Sequence, residues 1–475
     1  MDKLATHTIG ESLMILHRML KYSVLTALAV SFVGVSCSAW ATDVIRLNPS
    51  VSAESSQSSD SSAVSKNTIA DKDNAEGPSN PEIWLEKQSV PTKEWEAEEK
   101  AVEAFSNSIQ SWHNKSVDAS VYQSPNSMAD IGKSFTASNL PTLSTDEEFR
   151  VDGIGLGEIF IPSKYDVARV ETNDTFTSYT LKNMTVTVYS GVHESRLIDH
   201  QLRGEGAVYF YEPGTITNIH MTGGTEKTNR EMGIGNTRGE LIFSYGSPNA
   251  IWRDIKAGNY VYLYAGYDHK VWSSKQENKT SIKNTEYNSQ SQQARQETKR
   301  YIAFTIGDNK ISAIDFIDGP VWTRYALPAV EMHDYVPGQF TEADFVLRGL
   351  RLNEHFNNDA DSDWKSQGTL YGSDFIGYAD YGVGFDKKHL INRVFLSAYA
   401  PTRRGIAVGD TRYLLLFIYG MPTHVEEKQT TEGKLKVYEY KNPLVSNSYL
   451  LFTLDAKDQF IKSIMLSDRP TKQLK

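Results

Sequence analysis

Residues 228 to 248, TNREMGIGNTRGELIFSYGSP, and residues 402 to 422, TRRGIAVGDTRYLLLFIYGMP, superimpose without a gap and share T, R, G-x-T-R, L, F and Y-G-x-P in register. A repeat of this length constrains the fold more than composition does, because the same local structure has to be built twice. Gly235 and Gly409 free the backbone to turn, and Asn236 or Asp410 followed by Thr237 or Thr411 offers an N-cap, with Glu240 completing a capping box for Thr237. The spacing predicts a short helix to Tyr245 or Tyr419. Gly246 or Gly420 suits a left-handed residue that ends it, and Pro248 or Pro422 forbids its continuation.

The correspondence extends outward. EEFRVDGIGLGEIF (147 to 160) matches ADFVLRGLRLNEHF (343 to 356), and GAVYFYEPGTITNIHMTGG (206 to 224) matches YGVGFDKKHLINRVFLSAY (381 to 399), each of the latter pair reading as strand, tight turn and strand. The chain therefore reads as a tandem of tandems: unit A1 at 146 to 226, B1 at 227 to 320, a linker at 321 to 340, A2 at 341 to 401 and B2 at 402 to 469. After the B2 helix come LKVYEY, SYLLFTLD and FIKSIML, an antiparallel meander with Tyr438, Tyr440, Leu450, Phe452, Leu454, Ile464 and Leu466 on the covered face. B1 repeats this with YVYLYAG, YIAFTIGD and KISAIDFID, interrupted by a polar insert at 273 to 299 expected to be a mobile or disordered excursion. The expected fold class is α+β: tandem repeated units, each a short helix packed on a three- to four-stranded antiparallel sheet. Leu414 to Ile418 are apolar on every side, so the second face of that helix is expected to meet A2.

Before the repeats, His17, Arg18 and Lys21 precede an apolar run from about Val24 to Val35, and Ala39-Trp40-Ala41 supplies small residues for cleavage before Thr42. Residues 1 to 41 read as a signal peptide, against the competing readings of a lipid anchor at Cys37 or an uncleaved anchor. Cys37 is the one cysteine, so cleavage leaves a chain without disulfides or cysteine metal sites. Residues 42 to 80 are a Ser-rich spacer expected to be disordered. Residues 81 to 145 are read as an N-terminal amphipathic helix and linker, with Trp95, Val102, Phe105, Ile109 and Trp112 on one stripe that packs on the protein itself or on a partner helix.

A net charge of −10 argues against nucleic acid or anionic lipid as partner, and no later apolar run reaches membrane-spanning length. A glycine, an Asp/Asn/Met-Thr cap, a helix ending in Y-G-x-P, an aromatic Y-x-Y strand and a two-stranded hairpin together resemble the small α/β unit of the BamE (SmpA/OmlA) outer-membrane assembly lipoproteins. The same unit, duplicated, is similar to the β-lactamase inhibitory protein. The resemblance covers B1 and B2 well, A1 and A2 loosely and residues 1 to 145 not at all. It implies an extracytoplasmic helix-on-antiparallel-sheet fold whose known members are non-catalytic protein binders, although BamE carries a lipidation cysteine and does not have four units.

The sequence holds no G-x-S-x-G, H-E-x-x-H or phosphate-binding glycine loop. His193, Glu194, Asp199 and His200 have no ligand spacing, and the loop begun by Asp359, Asp361 and Asp363 has Trp364 where calcium binding needs Gly and Leu370 where it needs Glu. No cofactor, metal or catalytic residue is therefore expected. Tyrosine is the unusual residue, at 25 of 475. Tyr260, Tyr262, Tyr264, Tyr267 and Trp272 cluster in B1, either as core or as anchors for a protein partner on the sheet surface. The expectation is an exported, periplasmic or envelope-associated binder of another protein. The alternative is a cell-wall carbohydrate-binding protein or hydrolase whose carboxylates the sequence does not single out.

Overall fold

In a computed structural model of the chain, the two copies of the repeat close into two sheets of identical strand order. The structure describes residues 80–88, 100, 130–173, 176–190, 213–254, 257–269, 298–318, 331–357, 365–398, 400–430 and 433–474. The chain divides at Thr42 into two units; the first lies wholly outside the described residues, and every described element belongs to the second, Asp43–Lys475. The expected signal peptide, the Ser-rich spacer to residue 79, the Trp95–Trp112 stripe and the polar insert to residue 297 lie outside the described residues.

A short helix α1 (Pro81–Lys87) comes first, then a two-stranded ribbon of β1 (Arg150–Val151) and β2 (Ile154–Gly155). The first half continues with β3 (Arg169–Thr172), β4 (Phe176–Thr180), β5 (Met184–Tyr189), β6 (Ile216–Met221), α2 (Arg238–Tyr245), β7 (Ala250–Arg253), β8 (Tyr260–His269), β9 (Thr298–Gly307) and β10 (Lys310–Ile317). The second half has β11 (Ser366–Leu370), β12 (Ser373–Gly377), β13 (Tyr381–Phe385), β14 (Ile391–Leu396), α3 (Arg412–Tyr419), β15 (His424–Thr430), β16 (Gly433–Lys441), β17 (Tyr449–Leu454) and β18 (Ile461–Ser467). The sheets run β3-β4-β5-β6-β10-β9-β8-β7 and β11-β12-β13-β14-β18-β17-β16-β15, antiparallel throughout.

This corrects the expected class. The protein is mostly β, with two eight-stranded antiparallel sheets and three α-helices among the described residues, rather than a row of α+β units each with its own small sheet. The physical reason is one ladder per half: β10 pairs with β6, Ile314 opposite Met221, and β18 pairs with β14, Leu466 opposite Val394, so an A and a B segment share a continuous sheet. Strands such as β3 and β4, RVET and FTSYT, are exposed or half-buried except at Thr177 and carry little apolar alternation, while the caps announce eight-residue helices clearly. Local signals for helix are therefore the louder ones in this sequence, although strand dominates the fold.

The helices form as their caps dictate. The Thr237 hydroxyl accepts from the Glu240 N–H and the Glu240 carboxylate accepts from the Thr237 N–H; the Thr411 hydroxyl accepts from the Leu414 N–H. Gly246 and Gly420 end them at φ 79° and ψ −155°, and φ 74° and ψ −165°, a region open essentially only to glycine rather than the left-handed helical one. Each glycine's carbonyl then accepts from a strand tyrosine, Tyr264 Oη at 3.2 Å and Tyr440 Oη at 3.0 Å. Tyr245 packs against Tyr264 and Phe304, with centroids 5.2 and 5.1 Å away; Tyr419 packs against Tyr440 and Phe452 at 5.3 and 5.2 Å.

Two buried arginines repeat as well. Arg230 holds the Glu148 carboxylate at 3.0 Å and donates to the carbonyls of Ser244 and Pro141. Arg404 holds Asp344 at 2.5 Å and donates to the carbonyls of Ile418, Val336 and Gln339. Burial alone would lower the Arg404 pKa, but the Asp344 carboxylate more than offsets that and holds it above the usual arginine value.

Helix α3 also meets α2 of the other half, a contact not among the expectations, while it shares its core cluster with A2 residues such as Phe345 and Leu347. Phe243 and Phe417 stack at 4.8 Å, and Phe135 lies 5.6 Å from Phe417. Arg238, at the start of α2, reaches Asp410, just before α3; the pair is buried, and the same guanidinium donates to the Gly405 carbonyl at 2.9 Å. Gly405 sits at φ 93°, and a Cβ there would lie 3.1 Å from both Ile242 and Tyr262 of the other half. Residues of both halves consequently belong to one hydrophobic core, which includes every B2 residue assigned to the covered face.

The outer face of the second sheet carries a separate cluster, where Trp84 of α1 lies 5.4 Å from Phe375 and donates its indole N–H to the Tyr378 carbonyl. Among the described residues no helix is long and apolar enough to cross a membrane.

The buried pairs give a graded expectation. Replacing Asp344 by Ala strands the Arg404 guanidinium in the core and should cost about 3–5 kcal/mol. Arg412→Ala, which removes a part-exposed pair with Asp458, should cost roughly 1 kcal/mol or less. Denaturant midpoints at unchanged m-value measure both.

Candidate functional site

The tyrosine cluster singled out in the sequence divides in two. Tyr262 and Tyr264 alternate inward on β8 and are buried in the common core, where burial raises both phenol pKa values and keeps the hydroxyls neutral. They are packing residues and not surface anchors. Tyr260 stays half-buried at the start of the strand; Tyr267 is on β8, but its side chain lies outside the described residues, as does all of Trp272. The loops with His193, Glu194, Asp199 and His200, and with Asp359, Asp361 and Asp363, also lie outside the described residues. Among the described residues no group of His, Cys, Asp and Glu is placed to hold a metal.

Tyr260 instead leads to a cleft of about 400 Å³ between the halves. Strand β7 provides one wall with Trp252 and Arg253; the segment with Glu331, His333 and Tyr335 and the turns at Arg348 and Arg403 provide the rest. Arg253 and Arg348 approach the Tyr260 ring, at 5.9 and 6.0 Å from its centroid, within cation–π reach. Behind them Asp380 accepts from both, Arg253 closely and Arg348 at 3.2 Å. One carboxylate thus serves two guanidiniums, and the Nε atoms of both arginines are buried without an acceptor. Arg403 is half-buried and, among the described residues, has neither an ion pair nor a hydrogen bond. Glu331, the acidic residue of the lining, is 71% exposed and leans toward His333 at 3.3 Å.

Strand β7 also ends its sheet. The Asp254 N–H donates to the Asn259 carbonyl at 2.8 Å, so the antiparallel alternation directs the backbone of Trp252 and Ala250 toward β8. The N–H and C=O groups of Ile251 and Arg253 then face away from β8, where no hydrogen bond meets them among the described residues. His333 already uses that side one step earlier, donating its N–H to the Asn249 carbonyl at 2.9 Å.

The duplication supplies an internal control. Equivalent to Arg348 and Arg403 in the first half are Asp152 and Asn229, and equivalent to Trp252, Arg253 and Tyr260 in the second half are Glu426, Glu427 and Lys436. The buried clamps, the closing glycines and the strand tyrosines are shared, whereas the cationic and aromatic lining of the cleft is not. Sequence reasoning missed the arginines because they are scattered over more than a hundred residues in a net acidic chain. The readable signal was the mismatch between aligned repeats, Arg348 against Asp152 and Arg403 against Asn229.

No family model matches the chain, and no curated protein matches it. Among solved structures, a DUF4309 family protein (YjgB) from Bacillus subtilis is similar at 16% identity over 24% of this chain and 68% of its own, with a TM-score of 0.16. A protein provisionally described as a thioesterase II from Thermobifida fusca gives 8% identity over 53% of this chain and 93% of its own, with a TM-score of 0.12. At such scores neither likeness carries an argument about fold or activity.

If Asp380 is what holds the two guanidiniums together, Asp380→Ala should destabilise the protein by about 1–3 kcal/mol in low salt. Part of that loss should return in high salt, where like-charge repulsion at a part-exposed site is screened. Thermal or denaturant midpoints of the variant and parent across ionic strength provide the check.

Proposed function

We propose that this chain is a non-catalytic binding protein of the cell envelope that engages another protein, with the cleft and the open edge of β7 at the centre of the contact. The observation that carries this reading is the divergence of the two halves. Residues that build the fold recur in both, while one cleft between them gathers Trp252, Arg253 and Tyr260 of the first half with Arg348 and Arg403 of the second and Tyr335 of the connecting segment, none of the first five matched at its equivalent position. Arginine and large aromatics are the residues that most often supply binding energy at protein interfaces. A cleft of this size is also ample for the side chains of a partner.

The envelope location rests on the basic and apolar leader with its small-residue cleavage site before Thr42. A hydrolase reading asks for two carboxylates converging on a cleft. Here Glu331 is solvent-facing and Asp380 is engaged by two arginines, so the lining favours binding over acid–base work.

Photo-crosslinking residues placed at position 403 and, separately, at the equivalent position 229 in the full chain, expressed in its native host, test the reading. A discrete protein adduct from position 403 and none from position 229 is expected. Equal labelling from both positions, or labelling from 229 alone, would contradict it.

A further inference from the structure

We infer that the cleft takes an extended, acidic polypeptide segment, which adds to the open edge of β7 and seats a carboxylate among Arg403, Arg348 and Arg253. The inference rests on the reading of the cleft as a partner contact and adds the chemistry of what is bound.

Three observations converge on it. The first is charge: three arginines line the cleft against one solvent-facing glutamate, and the Asp380 carboxylate behind them is divided between Arg253 and Arg348. Arg403 has no acceptor among the described residues, and the buried Nε groups of Arg253 and Arg348 lack one. The half-buried Arg403 guanidinium is engaged by no carboxylate among the described residues, so an incoming one gains charge-assisted hydrogen bonds there without first breaking equivalent ones, beside the positive charge of Arg253 and Arg348 that Asp380 only partly offsets. The second is backbone: Ile251 and Arg253 present N–H and C=O groups outward from an edge strand, and an extended peptide satisfies such groups by continuing the ladder. The third is precedent within the molecule, since His333 already bonds to this edge at Asn249, immediately beside the open positions.

The two requirements are coupled by geometry. Side chains of an added strand alternate between faces. One carboxylate directed into the cleft therefore fixes the register, while the backbone bonds are indifferent to sequence. Tyr260, flanked by both guanidiniums, gives the aliphatic stem of that side chain an apolar floor. An isolated phosphate has the charge but not the strand; a neutral extended peptide has the strand but not the charge.

The test uses the full chain and a short end-blocked peptide that alternates glutamate and valine. Its controls are the glutamine-for-glutamate peptide, the same acidic peptide N-methylated on alternate amides, and inorganic phosphate. Titration calorimetry is expected to show the acidic peptide binding more weakly as salt rises, and about tenfold or more weakened by either the glutamine exchange or N-methylation in the matching register. Arg403→Glu should abolish the preference for glutamate over glutamine. Asn229→Glu, at the equivalent position of the other half, should leave it unchanged; both variants replace half-buried side chains outside the core, and matching thermal midpoints verify their folding. Equal affinity for the acidic and glutamine peptides, or phosphate binding as tightly as the peptide with N-methylation having no effect, would overturn the inference. Failure of the acidic peptide while position 403 still crosslinks to a partner would overturn the strand-and-carboxylate chemistry and leave the contact itself standing.

Discussion

The fold depends on an arginine that is taken wholly out of water twice. Arg230 and Arg404 each grip a carboxylate from the preceding segment, Glu148 or Asp344, and each donates to a carbonyl near the end of the following helix, Ser244 or Ile418. A buried guanidinium is tolerable only when its donors are satisfied, so the ribbon, the helix and the loop before it have to arrive together. With the helix end fixed, the glycine that closes it presents its carbonyl to a strand tyrosine, and the tyrosines and phenylalanines beneath set the spacing of helix over sheet. A third arginine, Arg238, breaks the symmetry by reaching across to Asp410, where the first half has Asn236. That cross-link, with the stack of Phe243 on Phe417, brings β7 against the Arg348 and Arg403 turns and so creates the cleft.

Much of the helix chemistry was legible in the sequence. The Thr237 and Thr411 caps, the Gly246 and Gly420 stops and the duplicated order all follow from local rules, because capping and glycine-only backbone conformations are decided within a few residues. The fold class was not legible. Whether KISAIDFI pairs only with its own hairpin or also with ITNIHM, on the other side of α2, depends on long-range register that periodicity does not encode. The site was half legible. Tyr260 stands out in the sequence together with Tyr262 and Tyr264; all three share one face of β8, but only the latter two are covered by the core, while Tyr260 at the strand's start stays half-buried, and the arginines that give it company come from segments far apart in sequence.

Divergence between the copies reaches beyond the cleft. Phe395 and Met465, paired on the outer face of the second sheet, join the apolar cluster under Trp84, while the equivalent pair in the first sheet is His220 and Asp315, hydrogen-bonded at 2.8 Å. The Asp315 carboxylate outweighs burial and raises the His220 pKa, so a charge is accommodated where the other half stacks rings. A duplicated scaffold thus keeps its inner faces alike, where two sheets must fill one core, and lets the outer faces and edges differ.

The central claim, that the two halves are one cooperative structure and not two domains in a row, is most directly tested by native-state hydrogen exchange on the amides of β9 and β17, the matching central strands around Phe304 and Phe452. A shared core predicts that the slowest amides of both strands report the same opening free energy and respond together when Arg238→Met leaves Asp410 without its partner. Opening free energies that differ by more than about 2 kcal/mol, or a response confined to one strand, would show two independently unfolding halves, in conflict with the common core.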